Sequence, residues 1–288
     1  MSADQPARKS SWKAPTIVRH TPGLLNKFGG LQPSFHLDAI DGVGIADLVK
    51  KHGSPLFVIS ETRLRETARR VQRAFTSRYP KVKLAWSYKT NYLGAVCRIL
   101  HQEGFDAEVV SGFEYQKART LGVPGSHIFF NGPYKTLDDL ERAVREGARI
   151  HIDHFDELYA LEEVARTLPI KTKLPVSIRL NFDTGFTPQW TRFGFNLENG
   201  QAMEAARRLA ASPSLRLAGL HNHLGTFISD TRAYSTQDRV LADFMGIVEA
   251  ATDCMIDTLD LGGGMASRNS LQGTYLTQVA TYQATKTA

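Results

Sequence analysis

The sequence predicts an α/β fold, a (β/α)8 TIM barrel, and three observations carry the prediction. Short β-rich runs recur along the chain, segments with apolar residues at helical spacing separate them, and the residues with chemistry to offer stand at the C-terminal ends of the runs. Strand, helix, strand at this spacing implies parallel βαβ units. In a barrel of such units the active site gathers at the C-terminal ends of the strands and in the loops that follow them. A doubly wound sheet is the competing architecture.

Taken in order, a polar tail to about residue 15 and a weakly patterned stretch make up residues 1–54, read as tail and lead-in, with the barrel over 55–288. The β-rich runs are FVIS (57–60), KLAWSY (83–88), AEVV (107–110), HIFF (127–130), RIHI (149–152), VSIRLN (176–181), LAGLHNH (217–223) and IDTLDL (256–261). In TLDDLERAVREG (136–147), Leu137, Leu140 and Val144 fall at helical intervals and Gly147 follows as a stop signal. DELYALEEVARTL (156–168) and DRVLADFMGIVEAA (238–251) read the same way.

Composition narrows the function. With 288 residues, 42% hydrophobic and 22% charged, the chain is ordinary globular material. Its apolar runs, such as PLFVI at 55–59, are far shorter than the ~20 residues of a membrane-spanning helix. The N-terminus lacks an apolar signal core, so a cytoplasmic protein without a membrane partner is expected. Cys97 and Cys254 lack ligand-like spacing, and buried free thiols are expected. The net charge of +6 is spread along the chain without a basic run, which favours anionic small molecules over nucleic acid.

The strand ends hold the candidate site. Lys89 closes an apolar and aromatic run, with Thr90 and Asn91 expected to start the next helix. A partly desolvated lysine there has a lowered pKa and becomes a nucleophile able to form a Schiff base; a surface lysine snorkelling past an aromatic strand is the plain alternative. Gly262, Gly263 and Gly264 allow successive N–H groups to converge on one anion, or simply form a turn. His221 and His223, two apart on a strand, share a face; one can cover a planar ring while Gly225 and Thr226 add phosphate donors. The same H-x-H could hold a divalent metal, with Asp260 and His151 as further ligands, or be two core histidines. Arg179 lies inside or at the rim of the barrel, where a buried guanidinium needs an anion.

Lysine, a stacking histidine and a glycine-rich anion nest together describe a pyridoxal phosphate site. At this point a resemblance becomes specific. AWSYKTN is similar to the cofactor-lysine motif of the fold-type III pyridoxal-phosphate decarboxylases, the group of the diaminopimelate and ornithine decarboxylases, whose barrel is of the alanine racemase-like type. FDAEVVSGFE (105–114), NGPYK (131–135), VSIRLN, TRFGF (191–195), GLHNHLGT and LDLGGGM resemble further motifs of that family in its order, over about residues 55 to 265. The resemblance implies pyridoxal 5'-phosphate as cofactor, held by Lys89 as a Schiff base, with His223 on its ring, Gly225, Thr226 and Gly262 to Gly264 around its phosphate, and Glu108 and Arg179 beside it. It implies decarboxylation of an amino acid, meso-diaminopimelate to lysine as the best single choice, with lysine biosynthesis as the setting and a homodimer as the family's assembly. No metal is assigned.

Departures qualify what is implied. Glu108 stands where the family usually has Asp, Phe113 where it has Gly, Arg192 where it has Lys and Thr226 where it has Ser. The family's E-P-G-R motif, whose carboxylate keeps the ring nitrogen protonated, and its C-terminal β-domain have no counterpart up to Ala288. The tail YLTQVATYQATKTA resembles the helix before that strand. An incomplete barrel with open edges is therefore expected, with little turnover by this chain alone and dimerisation in doubt. A non-catalytic pyridoxal phosphate binder and a metal hydrolase using His221 and His223 are the alternatives. An alanine racemase fits less well, because SYKTNYLG does not match that enzyme's K-A-N-A-Y-G.

Overall fold

Alternation of buried strands with amphipathic helices builds an open, curled parallel sheet, and the computed structural model describes it over residues 38–169 and 172–266. The chain enters through a hairpin, β1 (Ala39–Ile40) and β2 (Val43–Gly44), turned by Asp41 and Gly42 at φ 50° and 79°. Helix α1 (Ile45–His52) follows, in a stretch whose sequence shows little pattern. Helix α2 (Glu61–Thr76) starts at Ser60, whose hydroxyl accepts the Arg63 N–H at 3.0 Å.

The repeating units come next: β3 (Ala85–Ser87), α3 (Gly94–Gln102), β4 (Asp106–Val109), α4 (Gly112–Thr120), β5 (Ile128–Phe130), α5 (Leu137–Arg145), β6 (Arg149–Ile152), α6 (Phe155–Thr167) and β7 (Leu174–Asn181). A two-residue strand β8 (Phe195–Asn196) precedes α7 (Gln201–Ala211), β9 (Leu215–Asn222), α8 (Thr231–Ala251) and β10 (Thr258–Asp260). The sheet runs β3-β4-β5-β6-β7-β9-β10, parallel throughout, with β8 beside β7. This is the α/β barrel that the strand pattern predicts, incomplete as the family resemblance implies. Among the described residues β3 and β10 do not pair, so the barrel stays open between them.

Burial follows position in the sheet. Ile128, Phe130, Ile150, Ile152, Ile178, Leu180, Leu217 and Leu220 are all almost fully enclosed, as expected where helices cover one face and side chains fill the interior. Helices end where backbone chemistry allows. In α5, Thr136 and Asp139 form a reciprocal capping box, and Gly147 at φ 75° closes the helix as expected.

Two expectations about elements fail. FVIS (57–60) is extended but unpaired, and Phe57 is 98% exposed; among the described residues no strand lies beside it to complete a ladder. Cys254 is half-buried rather than buried, whereas Cys97 is enclosed, and both are free. The expected polar tail and the YLTQVATYQATKTA helix lie outside the described residues. No described helix is long and apolar enough to cross a membrane.

Candidate active site

Strand register decides which side chains meet at the mouth of the half-barrel. Parallel pairing sets Ser87 opposite Glu108, Arg179 opposite His221, and His221 opposite Asp260. From these positions a polar chain crosses the sheet. The Ser87 hydroxyl donates to Glu108 in a very short contact. Asn131 Nδ2 reaches Glu108 Oε1 at 3.4 Å and His221 Nε2 at 3.0 Å. His221 Nδ1 faces Asp260 Oδ1 at 3.3 Å, and the Gly262 N–H donates to the same oxygen at 2.8 Å. The strand that leads to Lys89 and the glycine turn are thereby linked through one continuous set of contacts.

Electrostatics follow from burial. For Asp260, burial alone raises the carboxyl pKa, but His221, His151 and the Gly262 N–H outweigh it and hold the group well below the usual carboxylate range. Burial, then His221, pushes the His151 imidazole down to about 3, so this ring is neutral. His223 is likewise lowered to about 3, by burial first and then by the Lys89 charge. That influence places Lys89 and His223 at the same end of the sheet.

Lys89 sits in the turn just after β3, and Thr90 and Asn91 do not start the next helix as expected; Thr90 bonds back to Ser87 through both its N–H and its hydroxyl, and α3 begins only at Gly94. Tyr88 is fully buried, its hydroxyl 2.8 Å from His101 Nε2 of α3, and the turn carries the next side chain away from that enclosed ring. Lys89 is consequently exposed, which corrects the expectation of a partly desolvated amine. The cause is its place on an edge strand that lacks a described neighbour.

The glycine turn also differs from the simple nest expected of it. Gly262 donates to Asp260, and Gly263 donates to His223 Nδ1 at 3.2 Å, so two of the three N–H groups are already engaged. The turn instead packs against the loop after β9: Gly264 accepts from Ile228 at 2.8 Å, and a Cβ on Gly264 would lie 1.9 Å from the Gly225 carbonyl oxygen. Among the described residues, no hydrogen bond engages the N–H groups of Gly225, Thr226 or Gly264. These two neighbouring segments therefore offer an anion site of a different composition from three consecutive glycines.

Arg179 is buried, 3.4 Å from Asp153, with its guanidinium 4.5 Å from the Phe193 ring centre. It lines a cleft with Gln189, Trp190, Phe193 and His223, where Trp190 and His223 meet edge to face at 5.5 Å. Phe113 is largely exposed and meets Tyr92 at 6.0 Å, so its bulk lies toward solvent. The H-x-H pair divides: His221 lies in the floor with buried His151 and half-buried Asp260, while His223 faces the cleft and the glycine turn.

Sequence reasoning missed Asn131 and Lys135. Asn131 follows directly on a fully buried apolar strand, which was a usable signal that its amide enters the interior. Gly132, at φ 101°, has no room for a Cβ, which would meet the Val110 carbonyl oxygen at 2.4 Å. Lys135 is enclosed, bonded to Glu157 at 2.5 Å and to the carbonyls of Gly132 and His151. The NGPYK segment is thus a strut that positions Asn131 and β6.

Parallel strands around a mouth that carries a lysine, a cleft-lining histidine and unengaged backbone N–H groups define a half-barrel suited to an anionic ligand. Residues 61–286 match the family model described as the pyridoxal-binding domain of pyridoxal-dependent decarboxylases. The chain is 32% identical over 231 residues to a diaminopimelate decarboxylase of Actinosynnema pretiosum, covering 79% of this chain and 51% of the relative. It is 31% identical over 232 residues to that of Methanothermobacter thermautotrophicus, covering 78% and 53%. Among solved structures, the diaminopimelate decarboxylase of Methanocaldococcus jannaschii in complex with L-lysine superposes with a TM-score of 0.73 at 26% identity, covering 85% of this chain and 61% of that one. The chain belongs to the pyridoxal-dependent decarboxylase family, and pyridoxal phosphate is the cofactor of that family's matched domain. It spans about half the length of the curated relatives it matches.

Proposed function

We propose that this half-barrel binds pyridoxal 5'-phosphate covalently through Lys89 and serves the decarboxylation of an amino acid, with meso-diaminopimelate as the first substrate to test. The observation that carries the reading is the packing of the Gly264 turn against the Gly225 and Thr226 loop. It leaves three N–H groups without a partner among the described residues, at the end of the sheet where Lys89 and His223 stand. A phosphate fits donors of this kind, and the absence of a Cβ lets the two backbones approach. Among the described residues no hydrogen bond or ion pair engages the Lys89 amine, so it is available to an aldehyde carbon. The names of the relatives support diaminopimelate.

Bound pyridoxal phosphate supplies the electron sink for the bond to the departing carboxylate. The chain's own residues orient and enclose. Neutral His223, held at Nδ1 by Gly263, covers a planar ring without adding a charge. The Glu108, Asn131, His221 and Asp260 chain fixes the floor beneath it. Trp190 and Phe193 keep water from one side of the cleft. Lys89 would hold the cofactor through its amine and would yield that place to the amine of the substrate.

Borohydride treatment of the chain with pyridoxal phosphate should fix the label on the peptide that contains Lys89. Absence of label, or label on another lysine, overturns the reading. Carbon dioxide release from diaminopimelate, ornithine, lysine and arginine then ranks substrates, and labelling without release from any of them points to a cofactor-binding protein that does not catalyse.

A further inference from the structure

Beneath the cleft, three side chains from three strands of the one sheet converge: His151 of β6, His221 of β9 and Asp260 of β10. Each offers a donor atom, and the three atoms lie within 4.8 Å of one another. Asp260 divides its oxygens between the rings, with Oδ1 at 3.3 Å from His221 Nδ1 and Oδ2 at 3.7 Å from His151 Nδ1. The imidazole ring centres are 4.7 Å apart and tilted by 43°, a separation that leaves them apposed but not stacked face to face.

This arrangement is poorly satisfied by the protein alone. His151 is 1% exposed, and neither of its ring nitrogens has a hydrogen-bond partner; His221 Nδ1, also buried, makes no well-formed hydrogen bond either. Buried polar atoms of folded proteins are almost always paired, so an unpartnered nitrogen from each of two buried rings beside one carboxylate calls for a ligand. The buried cations nearby are committed elsewhere, Arg179 to Asp153 just after β6 and Lys135 to Glu157. The missing element is a positive charge that accepts lone pairs.

We propose that His151, His221 and Asp260 form a binding site for a divalent transition-metal ion of the zinc class, separate from the cofactor's covalent attachment at Lys89. Two imidazoles and a carboxylate are the ligand set of three-coordinate protein sites that keep a fourth position open. Metal–ligand bonds of about 2.0–2.2 Å place tetrahedral donors roughly 3.3–3.6 Å apart, so the widest edge here closes by up to about 1.5 Å on binding. Coordination at His221 Nδ1 requires the proton on Nε2. Asn131 then turns its amide to present Oδ1, an oxygen that has no partner in the present arrangement. An outer hydrogen bond of that kind fixes the tautomer of a metal-bound histidine.

Cobalt(II) is the probe, because its visible ligand-field bands report coordination independently of activity. Titration of the full chain, with Lys89 labelling followed in parallel, should give one equivalent with tetrahedral-type bands. His151→Asn should weaken binding at least tenfold and abolish the bands, while His127→Gln, which alters an exposed histidine, should leave both unchanged. If His151→Asn does not fold, Asp260→Asn gives the same comparison. Absence of bands in the wild-type chain, or equal binding by the variant, overturns the proposal, since binding would then rest on other histidines. Loss of the Lys89 label without loss of the cobalt bands would instead sink the cofactor reading and leave this site standing.

Discussion

The backbone N–H of Gly263 donates to Nδ1 of His223 across 3.2 Å, so the glycine turn orients the histidine as well as shaping the mouth. With Nδ1 acting as acceptor, the ring carries its proton on Nε2 and is held neutral.

Acid sensitivity follows from this and from His151. Both imidazoles are depressed in the folded chain to about 3 by burial, against about 6.5 when unfolded. Below about pH 6.5 the unfolded chain therefore takes up protons that the folded chain refuses, and stability falls as pH drops toward 3. Each histidine contributes at most about 1.4 kcal/mol per pH unit. Melting temperatures of the wild-type chain should decline between pH 6.5 and 4.5, and His151→Asn should show the shallower slope; parallel slopes would refute the assignment.

Lys89 and Lys135 are predicted to fail in opposite ways. Lys89→Ala removes an exposed amine that makes no hydrogen bond or ion pair among the described residues, so stability should be unchanged while borohydride labelling by pyridoxal phosphate disappears. Lys135→Met strands the Glu157 carboxylate in the interior and should cost about 3–5 kcal/mol in urea unfolding. Adding Glu157→Gln to it should recover much of that loss.

The contrast between these lysines shows how far the sequence is legible. Hydrophobic periodicity is a local property, and it locates β6 to the residue and the neighbouring strands within one or two. Strand ends also locate Lys89, Arg179 and His223. What periodicity cannot carry is pairing between distant segments. Asn131 and Asp260 stand far apart in the chain, yet both contact His221, because the register of a parallel sheet aligns residues that no local pattern relates. The same reason explains FVIS: its composition suits a strand, but a strand exists only where a partner completes the ladder. Exposure of Lys89 likewise depends on which strand occupies the edge, and that is a property of the assembled sheet.

Glycines 263 and 264 should respond very differently to a methyl group. Gly264 has φ 90°, and a Cβ there would collide with the Gly225 carbonyl oxygen at 1.9 Å, whereas a Cβ on Gly263 meets nothing within 4 Å. Gly264→Ala should weaken pyridoxal phosphate binding at least about tenfold, or about 1.4 kcal/mol, by separating the two segments that hold the anion. Gly263→Ala should bind almost normally. Equilibrium dialysis of the two variants decides the point, and equal affinities would show that the phosphate lies elsewhere.

Asn131 provides the last test, because its amide is the bridge between two halves of the floor. Replacement by Leu keeps a similar volume but removes the donor to Glu108 and to His221 Nε2, leaving a buried imidazole nitrogen without a partner. An unsatisfied buried acceptor costs about 1–3 kcal/mol, so urea unfolding should shift by that amount. Ser87 still donates to Glu108 in the variant, which confines the damage to the His221 side. Combining Asn131→Leu with His221→Phe removes both partners, and most of the loss should then return. Additive losses in the double variant would mean that the two side chains contribute separately, and that the polar chain across the mouth is a coincidence of proximity.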